Sequence, residues 1–332
     1  MNIICKSSID ITDKEWIEIT DSFTANFSGD LQWQNFKKYF LNSYLGYAYH
    51  SLVLNNENRI VGHTAFIPKK YLWNGVEVLM AQSGSTFIDK EYRTDLLLYR
   101  KLYDALKKYV AEKGVQFILI VPNKAAYTYT ERILKCKNIF ELDYYIIPST
   151  GIYSRWGTFL GMLLWPLKGV QILIFSLFLE FMNIRLRFNK SKNSVDKRLS
   201  LIRNEEFEKF RYYNDREYRI THSGKLKYVL NTKIEKGIKT AYLMHFEFGG
   251  IVDFVAFKRT INHIQLSKDA PELIMLIGNY EWLMDGLFKL PKKYQPQRFP
   301  LMIDVMSLSN EQTEFLLDRT NWKFSLENFD VR

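Results

Sequence analysis

The chain is poor in the residues that build cross-linked or metal-bound scaffolds. Its 332 residues include two cysteines, Cys5 and Cys136, too few and too far apart for a disulfide framework or a thiolate metal site. The five histidines, His50, His63, His222, His245 and His263, show no HExxH or other close ligand spacing, so no metal is expected. Glycine-rich signatures are missing as well. There is no GxxxxGK(S/T), no GxGxxG and no GxSxG, which removes the usual local signals of nucleoside triphosphate hydrolysis, dinucleotide binding and serine hydrolysis. The opening residues MNIICKSSID contain no apolar signal core, and a cytoplasmic chain is expected.

What the chain does have is apolar and aromatic mass, with 47% hydrophobic and 16% aromatic residues, enough for a large core and two domains of ordinary size. Lys and Arg number 46 against 36 Asp and Glu, and the net charge of +10 favours anionic partners such as nucleotides, phosphorylated sugars, nucleic acid or a membrane surface. The basic residues are spread along the chain. No concentrated Lys/Arg stripe suits an RNA backbone, so nucleic acid is not an expected partner.

From Tyr47, the pattern YAYHSLVL, the polar turn NNEN and RIVGHTAFIP predict an antiparallel hairpin. A second hairpin follows, because Asn74-Gly75 between YLW and VEVLMAQ accepts the positive φ angles of a tight turn. The stretch DKEYRTDLLLYRKL then joins a strand ending near Ile88 to a helix starting near Asp95. Leu98, Leu102, Ala105, Leu106 and Tyr109 share one side of that helix. Gly114 ends it, and the buried-looking strand QFILIV can lie beside the first strand through a right-handed crossover. Pro122-Asn123 opens a further helix.

The run 33–140, through RIVGHTAFIPKKYLWNG, STFIDKEYR, KLYDALKKYVAEKG and FILIVPNKAAYTYTERIL, resembles the acetyl-CoA-dependent N-acetyltransferase superfamily, GNAT. It is most similar to bacterial members associated with surface polysaccharide biosynthesis. SGKLKY at 223–228 echoes SGDLQW at 28–33, and YLMHFEFGGIVDFVAF corresponds loosely to the first hairpin, which suggests a second, degenerate copy. The expected fold is α/β (α+β): two GNAT-like halves, each a mixed, mostly antiparallel sheet flanked by helices. The division is 1–150, an apolar and basic helical linker 151–200, and a degenerate half 201–332.

The resemblance implies acyl transfer from acetyl-CoA or another acyl-CoA to an amine, such as an amino sugar of a polysaccharide precursor. The pantetheine arm of the cofactor would lie between strands at 79–88 and 116–121, and its pyrophosphate on the helix start at Ile88, Arg93, Thr94, Asp95 and Leu96. Asn123 would orient the pantetheine, and Tyr127 or Tyr129 would protonate the leaving thiolate. Neither Glu77 nor Asp89 is singled out as the base. Yet the family's pyrophosphate loop carries glycines, and here Thr94 and Asp95 stand in that loop, where an oxygen can cap the helix and a carboxylate repels phosphate. Two other functions therefore stay open: a GNAT-shaped binding or scaffold subunit that has lost its cofactor, and a tRNA-dependent aminoacyltransferase of the peptidoglycan-bridge type.

The linker is the most hydrophobic stretch. Its apolar part from Val170 to Leu179 makes roughly 15 Å of helix, short of the ~30 Å core of a bilayer. Two readings remain for 155–192. One is a buried helix between the halves. The other is peripheral contact with the inner face of the membrane, because Arg155, Lys168, Arg185, Arg187, Lys190 and Lys192 flank the run.

Overall fold

The first six strands are β1 (Asn2–Ser7), β2 (Tyr49–Leu54), β3 (Ile60–Trp73), β4 (Val76–Ile88), β5 (Phe117–Ile120) and β6 (Lys137–Glu141), with helices α1 (Asp13–Phe27), α2 (Trp33–Leu41), α3 (Leu98–Ala111) and α4 (Lys124–Arg132) among them. Next come β7 (Asp143–Pro148), the long α5 (Trp165–Asn189) and β8 (Leu199–Leu201). The last part holds β9 (Tyr218–Ser223), β10 (Leu226–Glu235), β11 (Ile238–Phe248), α6 (Phe254–Leu266), β12 (Leu273–Gly278) and β13 (Pro300–Val305). This computed structural model describes residues 1–27, 31–95, 97–156, 165–189, 198–213, 217–284 and 286–328.

Both hairpin turns form where the sequence places them. Asn74 and Gly75 take φ of 51° and 79°, and the first hairpin closes through Asn55 N–H to the Arg59 carbonyl at 3.0 Å. β3 is buried on both faces, which explains its nearly continuous apolar run. Ala65 and Ile67 pack with Trp16, Phe36 and Phe40 from α1 and α2, whereas Phe66 meets Tyr103 and Leu106 of α3 on the opposite face. In α3 the predicted stripe is buried at Leu98, Leu102 and Leu106.

The chain divides into two compact units, each discontinuous in sequence. One comprises Met1–Glu141, Arg198–Arg211 and Arg298–Trp322, and the other Leu142–Lys197, Tyr212–Gln297 and Lys323–Arg332. A linear division at 150 and 200 is therefore replaced by an interleaved one. In the first sheet the order is β1-β2-β3-β4-β5-β13-β6, so β13, from the end of the chain, fills the place beside β5. In the second sheet the order is β7-β12-β11-β10-β9, and β7, from the first half of the sequence, fills the equivalent place beside β12. Each half has given its strand to the other sheet. PLMIDV and DYYIIP are both short apolar strands, and an antiparallel edge accepts either on pattern alone.

The duplication is visible in element order rather than in letters. In each sheet a strand, a crossover helix and a parallel strand recur: β4-α3-β5 and β11-α6-β12. The SGKLKY echo spans the β9–β10 turn, while the end of SGDLQW leads into α2, and 28–30 of that segment lie outside the described residues. The stretch YLMHFEFGGIVDFVAF is not a hairpin. It runs from β11 through Gly249-Gly250 into α6, with Asp253 capping the helix by accepting the Ala256 N–H at 2.8 Å.

α5 is no free-standing linker. Leu179 and Met182 are buried in the core of the second unit beside Phe257 and Ile261 of α6, and Glu180 pairs with Lys258. Its outer face, however, is exposed, which removes the fully buried reading. Among the described residues, no helix is long and apolar enough to cross a membrane.

Candidate active site

β4 and β5 run parallel, but they pair only at Met80–Phe117, Ala81–Ile118 and Gln82–Leu119. From Ser83 to Ile88, β4 has no paired residue on that side, so the two strands part and leave an opening at their carboxyl ends. Where they part, Lys69, only 4% exposed, donates to the Gln82 side chain at 2.6 Å. Just beyond, β4 bulges: the register against β3 shifts between His63 and Ala65, and Ser85 takes a positive φ of 52°. A non-glycine residue in that region must be held there by its surroundings.

Two buried histidines supply the hold. The Ser85 carbonyl can only accept, so His63 Nδ1, 2.7 Å away, carries a hydrogen. His63 Nε2 then accepts from His50 Nδ1–H at 2.9 Å, and His50 Nε2 accepts from the Ser8 hydroxyl at 2.8 Å, whose oxygen takes the Ala48 N–H at 2.9 Å. The Ser8 hydroxyl also lies 3.1 Å from the Ala48 carbonyl, and its single hydrogen goes to the nearer His50 Nε2, which completes the chain to Ser85. Both rings are neutral: burial holds His63 down at about 4, and burial together with the adjacent His63 holds His50 well below its ordinary value. Sequence reasoning passed over this pair because 13 residues separate them, and only the β2–β3 pairing joins them.

The junction after β4 is occupied by the chain's own groups. The Asp95 carboxylate accepts the Leu97 N–H at 3.0 Å and pairs with Lys101 at 3.2 Å, and these contacts, the Leu97 bond first, hold it below the usual carboxylate range. Arg93 turns back to donate to the Ile88 carbonyl at 2.9 Å and to the Asn26 side chain. Thr94 is exposed, and Leu96 lies outside the described residues. Tyr99, in the first turn of α3, contacts the side chains of Thr86 and Ser83, and burial pushes its hydroxyl up to about 12.

The two candidate tyrosines part company. Tyr129 packs its ring against Tyr99 at 5.1 Å and meets the Arg100 backbone in the first turn of α3, with burial raising its hydroxyl. Tyr127 instead sits near β6, where Asn138 donates to its hydroxyl at 3.4 Å, two strands beyond β5 in the sheet. Asn123 spends its side-chain oxygen as the α4 cap, accepting the Ala126 N–H at 2.9 Å. Sequence spacing brought both tyrosines to one helix, and only Tyr129 reaches the helix start.

On the other side of β4, an open cleft of about 720 Å³ is lined by Glu18, Asp21, Asp89 and Glu91 together with Arg59 and Lys90. Asp89 is held there by Arg59 at 3.2 Å and by the Asn26 amide at 3.0 Å. Glu77 is remote from it, near the start of β4, paired with Lys70 at 2.7 Å.

No protein-family model matches the sequence, and no curated protein matches it either. Solved structures do. A crystal structure from Enterococcus faecalis V583, described as a conserved protein of unknown function and probable N-acyltransferase, superposes with a TM-score of 0.55 at 14% identity, over 92% of this chain and 73% of that one. A GCN5-related N-acetyltransferase from Kribbella flavida gives 0.57 at 12% identity over 92% and 72%, and one from Anabaena variabilis ATCC 29413 gives 0.57 at 10% over 91% and 73%. The fold is GNAT-like.

Both GNAT-like sheets repeat the same opening, since β11 and β12 also pair over only three residues, Thr240–Leu273, Ala241–Ile274 and Tyr242–Met275. In the first, the unpaired edge of β4 suits an amide-bearing arm, whose N–H and C=O groups can pair with a strand edge. The start of α3 does not suit a diphosphate. Its backbone is already engaged at Leu97 by a carboxylate and at Arg100 by a phenol, and phosphate oxygens next to Asp95 would add repulsion. The second GNAT-like sheet carries a polar group that sequence reasoning missed: His245 lies 3.3 Å from Glu247, and the buried Glu327 accepts from Tyr212 at 2.8 Å and Ser325 at 3.2 Å. The signal that could have found it is the burial of a histidine inside the strand pattern YLMHFEF.

Proposed function

We propose that the chain transfers an acyl group from a thioester to an amine. The observation that carries this reading is the parallel β4–β5 pair that opens after Gln82, bridged by a crossover helix and bulged at Ser85. In this reading the amine enters through the carboxylate-lined cleft, where negative charge concentrates a cationic acceptor near β4. An amine attacks only when neutral. Asp89 is the group we assign to receive its proton, directly or through a water, because it stands at the end of β4 and is oriented by Arg59 and Asn26. Tyr129 holds a hydroxyl proton one ring away from β4, and we assign it to protonate the leaving thiolate.

The acceptor we favour is an amino sugar of a polysaccharide precursor, which offers a cationic amine to the acidic cleft. The donor is an acyl-CoA only if the Asp95 carboxylate gives up the Leu97 N–H and the Tyr129 hydroxyl exchanges the Arg100 backbone for the thiolate, and its nucleotide end takes no part in the proposed steps. A second reading, a GNAT-shaped binding body without a cofactor, is supported by that same occupied helix start.

Titration calorimetry with coenzyme A, and mass analysis of glucosamine incubated with acetyl-CoA and the protein, separate the two. Binding with acetylated product supports acyl transfer. No binding by the wild type, nor by a variant freed at Asp95 and Tyr129, supports the binding body.

A further inference from the structure

The outer face of α5 is the largest apolar feature that the acyl-transfer reading leaves unused. Leu167, Val170, Leu173, Ile174, Leu177, Phe178, Phe181 and Ile184 all stand exposed, with Leu177 at 62% and Phe181 at 66%. At 3.6 residues per turn they cover an arc of about 140° along roughly 26 Å of helix. Eight such side chains, each about half exposed, present on the order of 700 Å², above the ~300–600 Å² of the largest patch on a typical monomer. The inner face is accounted for: Leu179 and Met182 are buried, Phe175 packs on Phe288 at 5.5 Å, and Ser176 contacts Asn262 at 3.1 Å. The helix is therefore held in place from behind, with its apolar side outward.

We propose that this face docks the protein on an anionic lipid bilayer. Two properties favour lipid over a second copy of the chain. The arc is broad, as a surface lying in a membrane interface requires, whereas the seam between two paired helices is narrower. The charge of the segment is one-sided: Lys168, Arg185 and Arg187 lie in α5 and Lys190 and Lys192 follow it, against a single acid, Glu180, already paired with Lys258. Two copies of a segment with this net positive charge repel each other, whereas an anionic headgroup layer attracts it. The apolar side chains enter the acyl boundary by roughly 5–10 Å.

Flotation of the full chain with phosphatidylcholine vesicles, with and without a third of phosphatidylglycerol, tests the proposal. The protein is expected to float with the anionic vesicles at low salt and far less with the neutral ones or at high salt. Leu173→Glu with Leu177→Glu should lower the partition coefficient at least about tenfold while leaving the thermal melt unchanged, since both positions are exposed. Arg185→Glu with Arg187→Glu should remove the preference for anionic lipid. Recovery of the wild type in the soluble fraction with both vesicle types overturns the proposal. So does sedimentation as a dimer that the two glutamates dissociate, which would assign the face to a second copy.

Discussion

His50 Nδ1 lies 2.9 Å from His63 Nε2 inside the core, and through this pair the Ser8 hydroxyl is connected to the Ser85 carbonyl at the bulge of β4. Both rings are neutral in the folded chain, and in the unfolded chain each takes up a proton near its ordinary value of 6.5. The sign follows directly. As pH falls from about 6.5 toward 4, the unfolded state gains protons that the folded state refuses, so stability is full above that window and declines within it. With a folded value of about 4, His63 alone removes about 3 kcal/mol, and His50 acts in the same direction. Urea midpoints measured near pH 7 and near pH 4 should show this fall, and His63→Gln should flatten it.

Replacing His63 by Phe leaves two groups unpaired, the buried His50 Nδ1–H and the half-buried Ser85 carbonyl. A cost of about 1–3 kcal/mol for each is expected in denaturant unfolding. Under the acyl-transfer reading, turnover should fall further than the folded fraction accounts for, because the positive φ of Ser85 loses its restraint. Equal loss in both would make the pair purely structural.

Asp95→Gly combined with Tyr129→Phe removes the carboxylate and the phenol that engage the start of α3. The melting temperature should fall by a few degrees, and coenzyme A, titrated calorimetrically, should bind more tightly than to the wild type. Destabilisation with no gain in affinity would show that both residues serve only to start the helix.

A fragment ending at residue 150 should fail to fold, although it contains the entire stretch that resembles a complete domain. It lacks β13, the strand that lies between β5 and β6, and it carries β7, which belongs to the other sheet. Two open strand edges invite aggregation. Co-expression with 151–332, which supplies β13 and the α5 side chains Leu179 and Met182 of the second core, should restore soluble material, which a pull-down on a single tag can read.

Gly278 ends β12 where a Cβ would come within 2.6 Å of the Phe324 carbonyl oxygen and 2.8 Å of the Ser325 Cα. Backbone cannot yield there as a flexible side chain can. Gly278→Ala should cost about 1–3 kcal/mol of stability in a chemical denaturation curve, whereas Gly169→Ala, inside α5 with nothing within 4 Å of its Cβ, should stabilise by up to about 1 kcal/mol.

The locally specified parts of the molecule were legible in the residues. The Asn74-Gly75 turn, the apolar stripe of α3 and the α4 cap at Asn123 all depend on contacts within a few positions of one another. The candidate site was legible only in outline. That Tyr129 and not Tyr127 reaches the α3 start depends on how α4 is rotated against β6, and helical spacing alone does not determine that rotation.

By itself, the sequence determined the order of strands and helices from Tyr47 to Asn123, because hydrophobic period and turn chemistry act over short distances along the chain. Only the tertiary structure decided which strand stands beside β5 and which beside β12. PLMIDV and DYYIIP present the same short apolar pattern, so the choice between them is made by where the chain travels after Glu141 and before Pro300. The same holds for the start of α3: its backbone is specified locally, but the Tyr129 hydroxyl that meets it arrives from a separate helix, and the Ser85 bulge is held by two histidines that only strand pairing brings together.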